Sequence, residues 1–142
     1  MTVLIDTNVL LDVLLPRPAF FGPSAQVWAL AETVQFDLLV CAVSLTTIHY
    51  VVDRYSGQAA ADAAVRVVHR LARTTAVDAQ VVSDALNGGN PDFEAAVQAA
   101  SALRAGATHV VTRDPGGFAR TSLQVLSPIQ LVSLVRGSAA QP

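Results

Sequence analysis

The spacing of hydrophobic positions changes abruptly at two places in the chain. The unbroken apolar run Val3–Ile5 is followed by the polar residues 6–8, after which apolar residues recur at the three- and four-residue spacing of a helix. A similar order returns later, where Val110 and Val111 precede a turn that contains Asp114. Because apolar runs of this kind are typical of strands covered on both faces, both segments predict buried strands of a parallel sheet.

Strand-type and helix-type patterns alternate along the rest of the chain. We expect further strands at 38–41, 74–77 and 123–126. Helices are expected at 9–15, 24–34, 44–55, 58–73, 79–86, 93–104 and 129–135. This alternation predicts an α/β fold, a three-layer α/β/α sandwich around a mostly parallel sheet. Residues 1–136 form a single predicted domain, and 137–142 a flexible tail, since the residues after 136 are small and polar.

Capping residues mark several predicted helix ends. Ser44 and Asp78 are suited to accept a backbone hydrogen bond at a helix start, and Gly106 suits the position that follows a helix. The same chemistry leaves Asp6 with two interpretations, a helix cap or a ligand at the end of a strand. The second interpretation is attractive because open parallel sheets bind ligands at the carboxyl ends of their strands.

The composition limits the class of protein. Of 142 residues, 52% are hydrophobic and 14% charged, so we expect apolar surface for self-association, as a homodimer. The formal net charge of −2 gives no broad positive field, so any contact with nucleic acid is expected to be local. Lysine is absent, which excludes lysine bases. The single Cys41, the lack of a signal peptide and the lack of a long apolar run predict a cytoplasmic protein outside the membrane.

Acidic side chains stand at positions that a parallel sheet would bring together. Asp6 and Asp114 follow predicted strands, and Asp92 and Glu94 begin a predicted helix. Clustered carboxylates without histidine or cysteine partners favour Mg²⁺ or Mn²⁺ over zinc. Such ions activate water and neutralise phosphate charge, which indicates phosphodiester hydrolysis. Asn8 and Thr112, each two residues from an acid, could orient a ligand or form ordinary turn hydrogen bonds.

Three other classes share part of this pattern. Receiver domains and haloacid-dehalogenase-type phosphatases carry aspartates at strand ends, but both use a lysine that this chain lacks. Nucleotide-cofactor folds require a Gly-x-Gly-x-x-Gly segment after a strand, which is also absent. His49, His69 and His109 lie in separate predicted elements, so we interpret them as structural residues.

Four segments, in this order along the chain, match a known pattern. They are LIDTNVLL at 4–11, SLTTIHY at 44–50, the start of the Ala-rich helix at 92–94, and the strand ends at 112–114 and 126–128. In these segments the chain resembles the PIN-domain family, the VapC-like ribonucleases of toxin–antitoxin modules and their relatives. The resemblance implies a compact α/β/α fold, an acidic Mg²⁺ or Mn²⁺ pocket, endoribonuclease activity on RNA, and an antitoxin protein as a candidate partner.

The resemblance also implies roles for individual residues. Asp6, Glu94 and Asp114 would be catalytic and, together with Asp92, would hold the metal. Asn8, Thr112 and Arg113 would bind or orient the substrate. Three acids common in the family are replaced here: Thr47, Ala95 and Gly117 stand at their positions. Glu94 is about 100° from Ala95 around a helix, so it does not simply replace the acid missing there.

Two functional hypotheses follow from this pattern. The first is a metal-dependent ribonuclease with Asp6 and Asp114 as the main metal ligands. The second is a PIN-like module that has lost catalysis and binds RNA or a protein partner. Three arginines, Arg66, Arg70 and Arg73, also lie along one side of the helix predicted at 58–73. We interpret this stripe as a solvated face, with an RNA-backbone track as the alternative.

Overall fold

A five-stranded sheet organises the chain in this computed structural model, which describes residues 1–15, 17–33 and 35–140. The strands are β1 (Thr2–Ile5), β2 (Asp37–Cys41), β3 (Arg73–Thr75), β4 (His109–Val111) and β5 (Gln124–Leu126). Their order across the sheet is β3-β2-β1-β4-β5, and all four pairings are parallel. The prediction of a mostly parallel sheet is confirmed.

Seven helices in the described residues connect and cover these strands. They are α1 (Thr7–Leu14), α2 (Phe21–Glu32), α3 (Ala42–Ser56), α4 (Gln58–Leu71), α5 (Ala79–Asn87), α6 (Phe93–Arg104) and α7 (Pro128–Ala140). A 3₁₀ turn, Pro115–Phe118, follows β4. None of the helices in this part of the chain is long and apolar enough to cross a membrane.

Both faces of the sheet are buried, which gives the molecule two hydrophobic cores. Successive residues of a strand point to opposite faces. Val3 and Ile5 therefore pack in the core formed with α1, α2, α3, α4 and α7, whereas Leu4 packs in the core formed with α5, α6 and the 3₁₀ turn. This arrangement confirms the three-layer α/β/α sandwich and explains why the strands read as continuous apolar runs.

Helix α6 lies deepest among the helices and forms one wall of the site described below. All eight residues from Ala95 to Ala102 are buried, and five of them are alanines. The small side chains allow α6 to approach β1, β2, α3, α5 and the 3₁₀ turn together. Gly106 follows the helix with a φ of +87°, as its predicted role at the helix end requires.

Several predicted boundaries differ from the structure. Strand β2 passes directly into α3, so Cys41 occupies the N-cap position, and the predicted cap Ser44 is buried inside the first turn of the helix. Asp78 does cap α5, where it accepts the Val81 N–H at 2.9 Å. Helix α7 extends beyond its predicted end at 135 to Ala140, and residues 141–142 lie outside the described part. The domain boundary at 136 and the flexible tail stay predictions.

The order of the strands determines where a ligand site can form. The chain goes from β1 to β2 on one side and later returns to β4 on the other side of β1. Ile5 is paired with Val111, so β1 and β4 end side by side. In open parallel sheets such a reversal of strand order leaves a crevice beyond the strand ends. Asp6 and Thr112 are the first residues beyond these two strand ends.

A buried ion pair fastens α1 to the chain that follows β4. Asp12 in α1 is fully buried and accepts two hydrogen bonds from Arg113, at 2.7 and 3.1 Å. Ser24 of α2 donates a third at 3.0 Å. The Arg113 guanidinium also lies over the Phe20 ring, 3.8 Å from its centroid. Because both partners are mostly withdrawn from water, loss of one would leave the other charge poorly solvated.

We therefore expect Asp12→Asn to destabilise the protein by about 3 kcal/mol, since it leaves Arg113 without its carboxylate. The free energy of unfolding from urea titrations at pH 7 measures this effect. Asp37→Asn is the matched control, because it removes an exposed ion pair with Arg73, which is worth about 0–1 kcal/mol. Equal losses in the two variants would contradict the structural role given to Asp12.

Candidate functional site

A cavity of about 270 Å³ lies beyond the carboxyl ends of β1 and β4, between α1, α3 and α6. Four carboxylates reach its wall, and they are the acids that the sequence indicated: Asp6, Asp92, Glu94 and Asp114. Asn8, also predicted, lines the same cavity. The structure thus brings together in one place acids that are separated by up to 108 residues in sequence.

Asp6 is the most buried of these acids. It occupies the N-cap position of α1 but makes no side-chain cap hydrogen bond. Instead, its two carboxylate oxygens accept hydrogen bonds from Gln98 at 3.1 Å and Thr112 at 2.7 Å. The two interpretations of Asp6 are thereby separated, because the side chain faces α6 and the end of β4 rather than its own helix.

The surroundings of Asp6 disfavour its negative charge. Burial raises the pKa of Asp6 above its ordinary value, and the negative charge of Asp114 adds to the rise. The hydrogen bonds from Thr112 and Gln98 act in the opposite direction without cancelling the effect of burial. A cation placed beside Asp6 would favour the ionised carboxylate and relieve its repulsion from Asp114.

Thr112 forms hydrogen bonds with both of the acids that follow β1 and β4. Its hydroxyl donates to Asp6 and accepts the backbone N–H of Asp114 at 2.9 Å. Thr112 is buried and is not among the residues on the cavity wall. The structure therefore places Thr112 behind the acids, where its hydrogen bonds position their carboxylates. Of the two roles considered for Thr112, the structure shows the local hydrogen bonds, and a role in orienting substrate stays a prediction.

Glu94 and Asp92 enter the cavity from the start of α6. Glu94 Oε1 lies 3.2 Å from the Thr7 hydroxyl, which is also 2.8 Å from Ser44 Oγ. Asp92 caps α6 by accepting the Ala95 N–H at 2.9 Å, so this acid serves helix stability as well as lining the cavity. Both side chains are exposed, in contrast to Asp6.

Arg113 lies away from the cavity, although we expected it to contact substrate. Its guanidinium is turned towards α1 and α2, where it pairs with Asp12. The reason is electrostatic, because a fully buried carboxylate in α1 requires a cationic partner and Arg113 supplies it in a bidentate geometry. Asn8 remains at the cavity, where its Oδ1 accepts a hydrogen bond from Arg17 at 3.3 Å.

Neutral residues occupy the three positions where the family commonly carries further acids. Thr47 and Ala95 line the cavity. Gly117 lies close beside it, since a Cβ built on this residue would be 3.2 Å from Asp114 Oδ2 and 3.5 Å from Ala95 Cβ. The three replacements therefore lie on or beside the wall of one cavity, and they lower its negative charge.

Three polar residues of the cavity wall were not among the predicted site residues. Gln98 is 2% exposed and donates to Asp6, Thr7 contacts Glu94, and Arg17 brings a positive charge to the wall. The available signal was Gln98 itself, a long polar side chain one helical turn after Glu94 in an otherwise Ala-rich segment. No sequence pattern identified Thr7 or Arg17.

The donor atoms of the cavity fit a hard divalent cation with few protein ligands. Asp6 and Asp114 supply carboxylate oxygens close enough for one charge to raise the pKa of the other. Gln98 Oε1 is the one buried polar side-chain atom in the described residues without a hydrogen-bond partner. Those residues contain no group of three His, Cys, Asp or Glu side chains placed to hold an ion. Two carboxylates with water completing the shell are sufficient for Mg²⁺.

Because burial raises the pKa of Asp6, the stability of the metal-free protein is expected to depend on pH. As the pH rises above about 4, Asp6 in the unfolded chain loses its proton before Asp6 in the folded protein does. Ionisation therefore favours unfolding until Asp6 is also ionised in the folded protein. We expect the stability gained by Asp6→Asn, relative to wild type, to grow over this range and then level off. Urea unfolding in EDTA at a series of pH values measures this gain.

Asp53→Asn provides the control for this measurement, since Asp53 is exposed on α3 and outside the cavity. Its stability difference from wild type should not show the same rise with pH. Parallel pH profiles for the wild type and Asp6→Asn would contradict the effect of burial on Asp6.

Comparison with known proteins identifies the family. A family model described as PIN domain matches residues 2–115, from β1 to the start of the 3₁₀ turn. No curated protein sequence matches the chain significantly. Among solved structures, VapC20 of Mycobacterium tuberculosis, described as a sarcin–ricin loop cleaving toxin, has a TM-score of 0.67 at 16% identity, covering 85% of this chain and 98% of its own.

Two further structures have the same fold. VapBC2 of Rickettsia felis, bound to a promoter DNA fragment, has a TM-score of 0.66 at 12% identity and covers 89% of this chain and 98% of its own. FitAcB of Neisseria gonorrhoeae has a TM-score of 0.62 at 23% identity with the same coverage. At these identities the structures establish a shared fold, and the family model covers more than half of the sequence. The chain belongs to the PIN-domain family.

Proposed function

We propose that this protein is a metal-dependent ribonuclease of the PIN type, with one divalent cation held by Asp6 and Asp114. The observation that carries this proposal is the meeting of these two acids in one cavity, where the buried Asp6 accepts its hydrogen bonds from neutral side chains. Burial raises the pKa of Asp6, the negative charge of Asp114 adds to the rise, and a bound cation would offset both effects. The cation would be Mg²⁺ or Mn²⁺, since every candidate ligand is an oxygen.

The residues of the cavity divide the remaining tasks. Thr112 and Gln98 hold the Asp6 carboxylate in place through their hydrogen bonds. Glu94 and Asp92 are exposed on the wall of the same cavity, where they could orient water around the ion. A bound divalent ion would lower the pKa of a water molecule and neutralise charge on the scissile phosphate. Asn8 is placed to donate its amide N–H groups to substrate while its Oδ1 accepts from Arg17.

RNA is proposed as the substrate for two reasons. The family resemblance implies RNA, and one solved structure of the same fold is described as a toxin that cleaves the sarcin–ricin loop. An antitoxin protein is proposed as a partner on the same resemblance, and two similar structures carry VapBC names. The homodimer and the cytoplasmic location stay predictions.

The direct test measures metal binding and RNA cleavage on the same set of variants. We expect the wild type to bind Mn²⁺ in calorimetric titrations and to cleave RNA in Mn²⁺ but not in EDTA. Asp6→Asn and Asp114→Asn should each abolish cleavage and weaken Mn²⁺ binding by roughly tenfold or more, since each removes one of two charged ligands. Asp53→Asn, outside the cavity, should behave as wild type. Cleavage that persists in Asp6→Asn or in EDTA would refute the proposal.

A second candidate function is a PIN-fold module that has lost catalysis. The observation that favours it is the neutral character of Thr47, Ala95 and Gly117 around the cavity. This candidate predicts a wild type that binds RNA or a protein partner but shows neither Mn²⁺ heat nor cleavage.

Adding carboxylates at two of the neutral positions tests whether the cavity is a metal site that has few acidic ligands. We expect Thr47→Glu combined with Ala95→Asp to raise Mn²⁺ affinity roughly tenfold, because both positions line the cavity and each adds a carboxylate. The matched control is Thr46→Glu with Ala63→Asp, which adds the same charge at exposed positions of α3 and α4. Equal affinity in the two double variants would mean that the cavity is not a metal site.

A further inference from the structure

Arg17 contributes a positive charge to a wall that is otherwise acidic or neutral. Among the described residues it is the one lysine or arginine that lines the cavity, whose wall also carries Asp6, Glu94 and Asp114. Its side chain is 35% exposed, so the guanidinium is partly accessible from the cavity. The proposed function gives this charge no task, and no sequence pattern indicated it.

The charge of Arg17 is not cancelled by its neighbours. Asp12 is the nearest carboxylate, 3.6 Å from Arg17 Nη1. That carboxylate is already paired with Arg113 through two shorter hydrogen bonds, and Ser24 donates a third. One aspartate and two arginines leave this cluster with a net charge of +1, and Arg113 is turned away from the cavity. The excess positive charge therefore lies on Arg17, the arginine that lines the cavity.

Hydrogen bonds of its own backbone hold Arg17 between α1 and α2. The Arg17 N–H donates to the Asp12 carbonyl at 3.3 Å, and the Arg17 carbonyl accepts from Phe20 and Phe21 at 2.9 and 2.8 Å. In the side chain, Nη1 donates to Asn8 Oδ1. A guanidinium has five N–H donors, so most remain available to a ligand in the cavity. Binding would then require little ordering of the side chain.

We propose that Arg17 is a substrate-binding residue that contacts a non-bridging phosphate oxygen of the RNA beside the two strand-end acids. The four carboxylates of the cavity repel a phosphodiester, and a divalent ion neutralises them only near Asp6 and Asp114. Arg17 adds a cation on another part of the wall, with the planar donor geometry that suits phosphate. This inference rests on the proposed function only for the choice of RNA as ligand.

Equilibrium binding in EDTA tests the role of Arg17 without requiring cleavage. A fluorescein-labelled single-stranded RNA is titrated with wild type, Arg17→Gln, Arg17→Lys and Arg136→Gln, and its anisotropy is recorded at several salt concentrations. Arg136 is the matched control, since it is exposed on α7 and outside the cavity. Thermal unfolding of each variant confirms that it remains folded at the assay temperature.

We expect Arg17→Gln to weaken RNA binding roughly tenfold, as loss of a charged hydrogen bond implies. The slope of log Kd against log salt should fall by about 0.7, the value for one phosphate contact on a single strand. Arg17→Lys should lie between wild type and Arg17→Gln, because it keeps the charge but loses the planar donors. Arg136→Gln should match wild type.

Three results would overturn the inference. They are wild-type affinity in Arg17→Gln, an equal loss in Arg17→Gln and Arg136→Gln, and no RNA binding by the wild type. The first would leave Arg17 as a partner of Asp12 alone, and the second would indicate a general charge effect. A failure of the proposed function looks different, because a protein that never cleaves RNA can still lose affinity selectively in Arg17→Gln.

Discussion

The parallel pairing of β1 with β4 is the constraint on which the candidate site depends. Because Ile5 is in register with Val111, the next residue of each strand emerges at the same level, and the Thr112 hydroxyl reaches the Asp6 carboxylate at 2.7 Å. The same hydroxyl accepts the Asp114 N–H, so the position of the second acid follows from the first. A shift of one residue in this pairing would turn Thr112 to the other face of the sheet and separate the acids.

The two buried aspartates at this edge of the sheet differ in how their negative charge is compensated. Asp12 is fully buried and is compensated within the protein by Arg113 and a hydroxyl donor, so it contributes to the fold. Asp6 is nearly as buried, and burial raises its pKa because the hydrogen bonds that it accepts from neutral donors offset the loss of water only in part. A buried acid that the protein leaves without a cation is costly for stability, and such uncompensated charges are typical of functional sites.

Much of this arrangement was accessible from the sequence, for identifiable reasons. The alternation of strand and helix patterns fixed the layers, and the strand-end rule located Asp6 and Asp114, because both depend on periodicity alone. The direction of Arg113 was not accessible, since it depends on a charge in α1 that is 101 residues distant in sequence and becomes a neighbour only after folding. Ser44 looked like a helix cap because the sequence does not show that β2 enters α3 without a turn.

The three neutral replacements change the electrostatics of the cavity. Acids at Thr47, Ala95 and Gly117 would add up to three negative charges to a wall that already carries four carboxylates, and these charges would repel an incoming phosphate. In the site that we propose, one ion at Asp6 and Asp114 and the guanidinium of Arg17 would oppose the charge that remains. Such a cavity would have fewer ligands for metal but also a smaller barrier to an anionic substrate. Arg17 would matter more in this site, because fewer metal ligands would leave a larger share of phosphate binding to the protein's own cation.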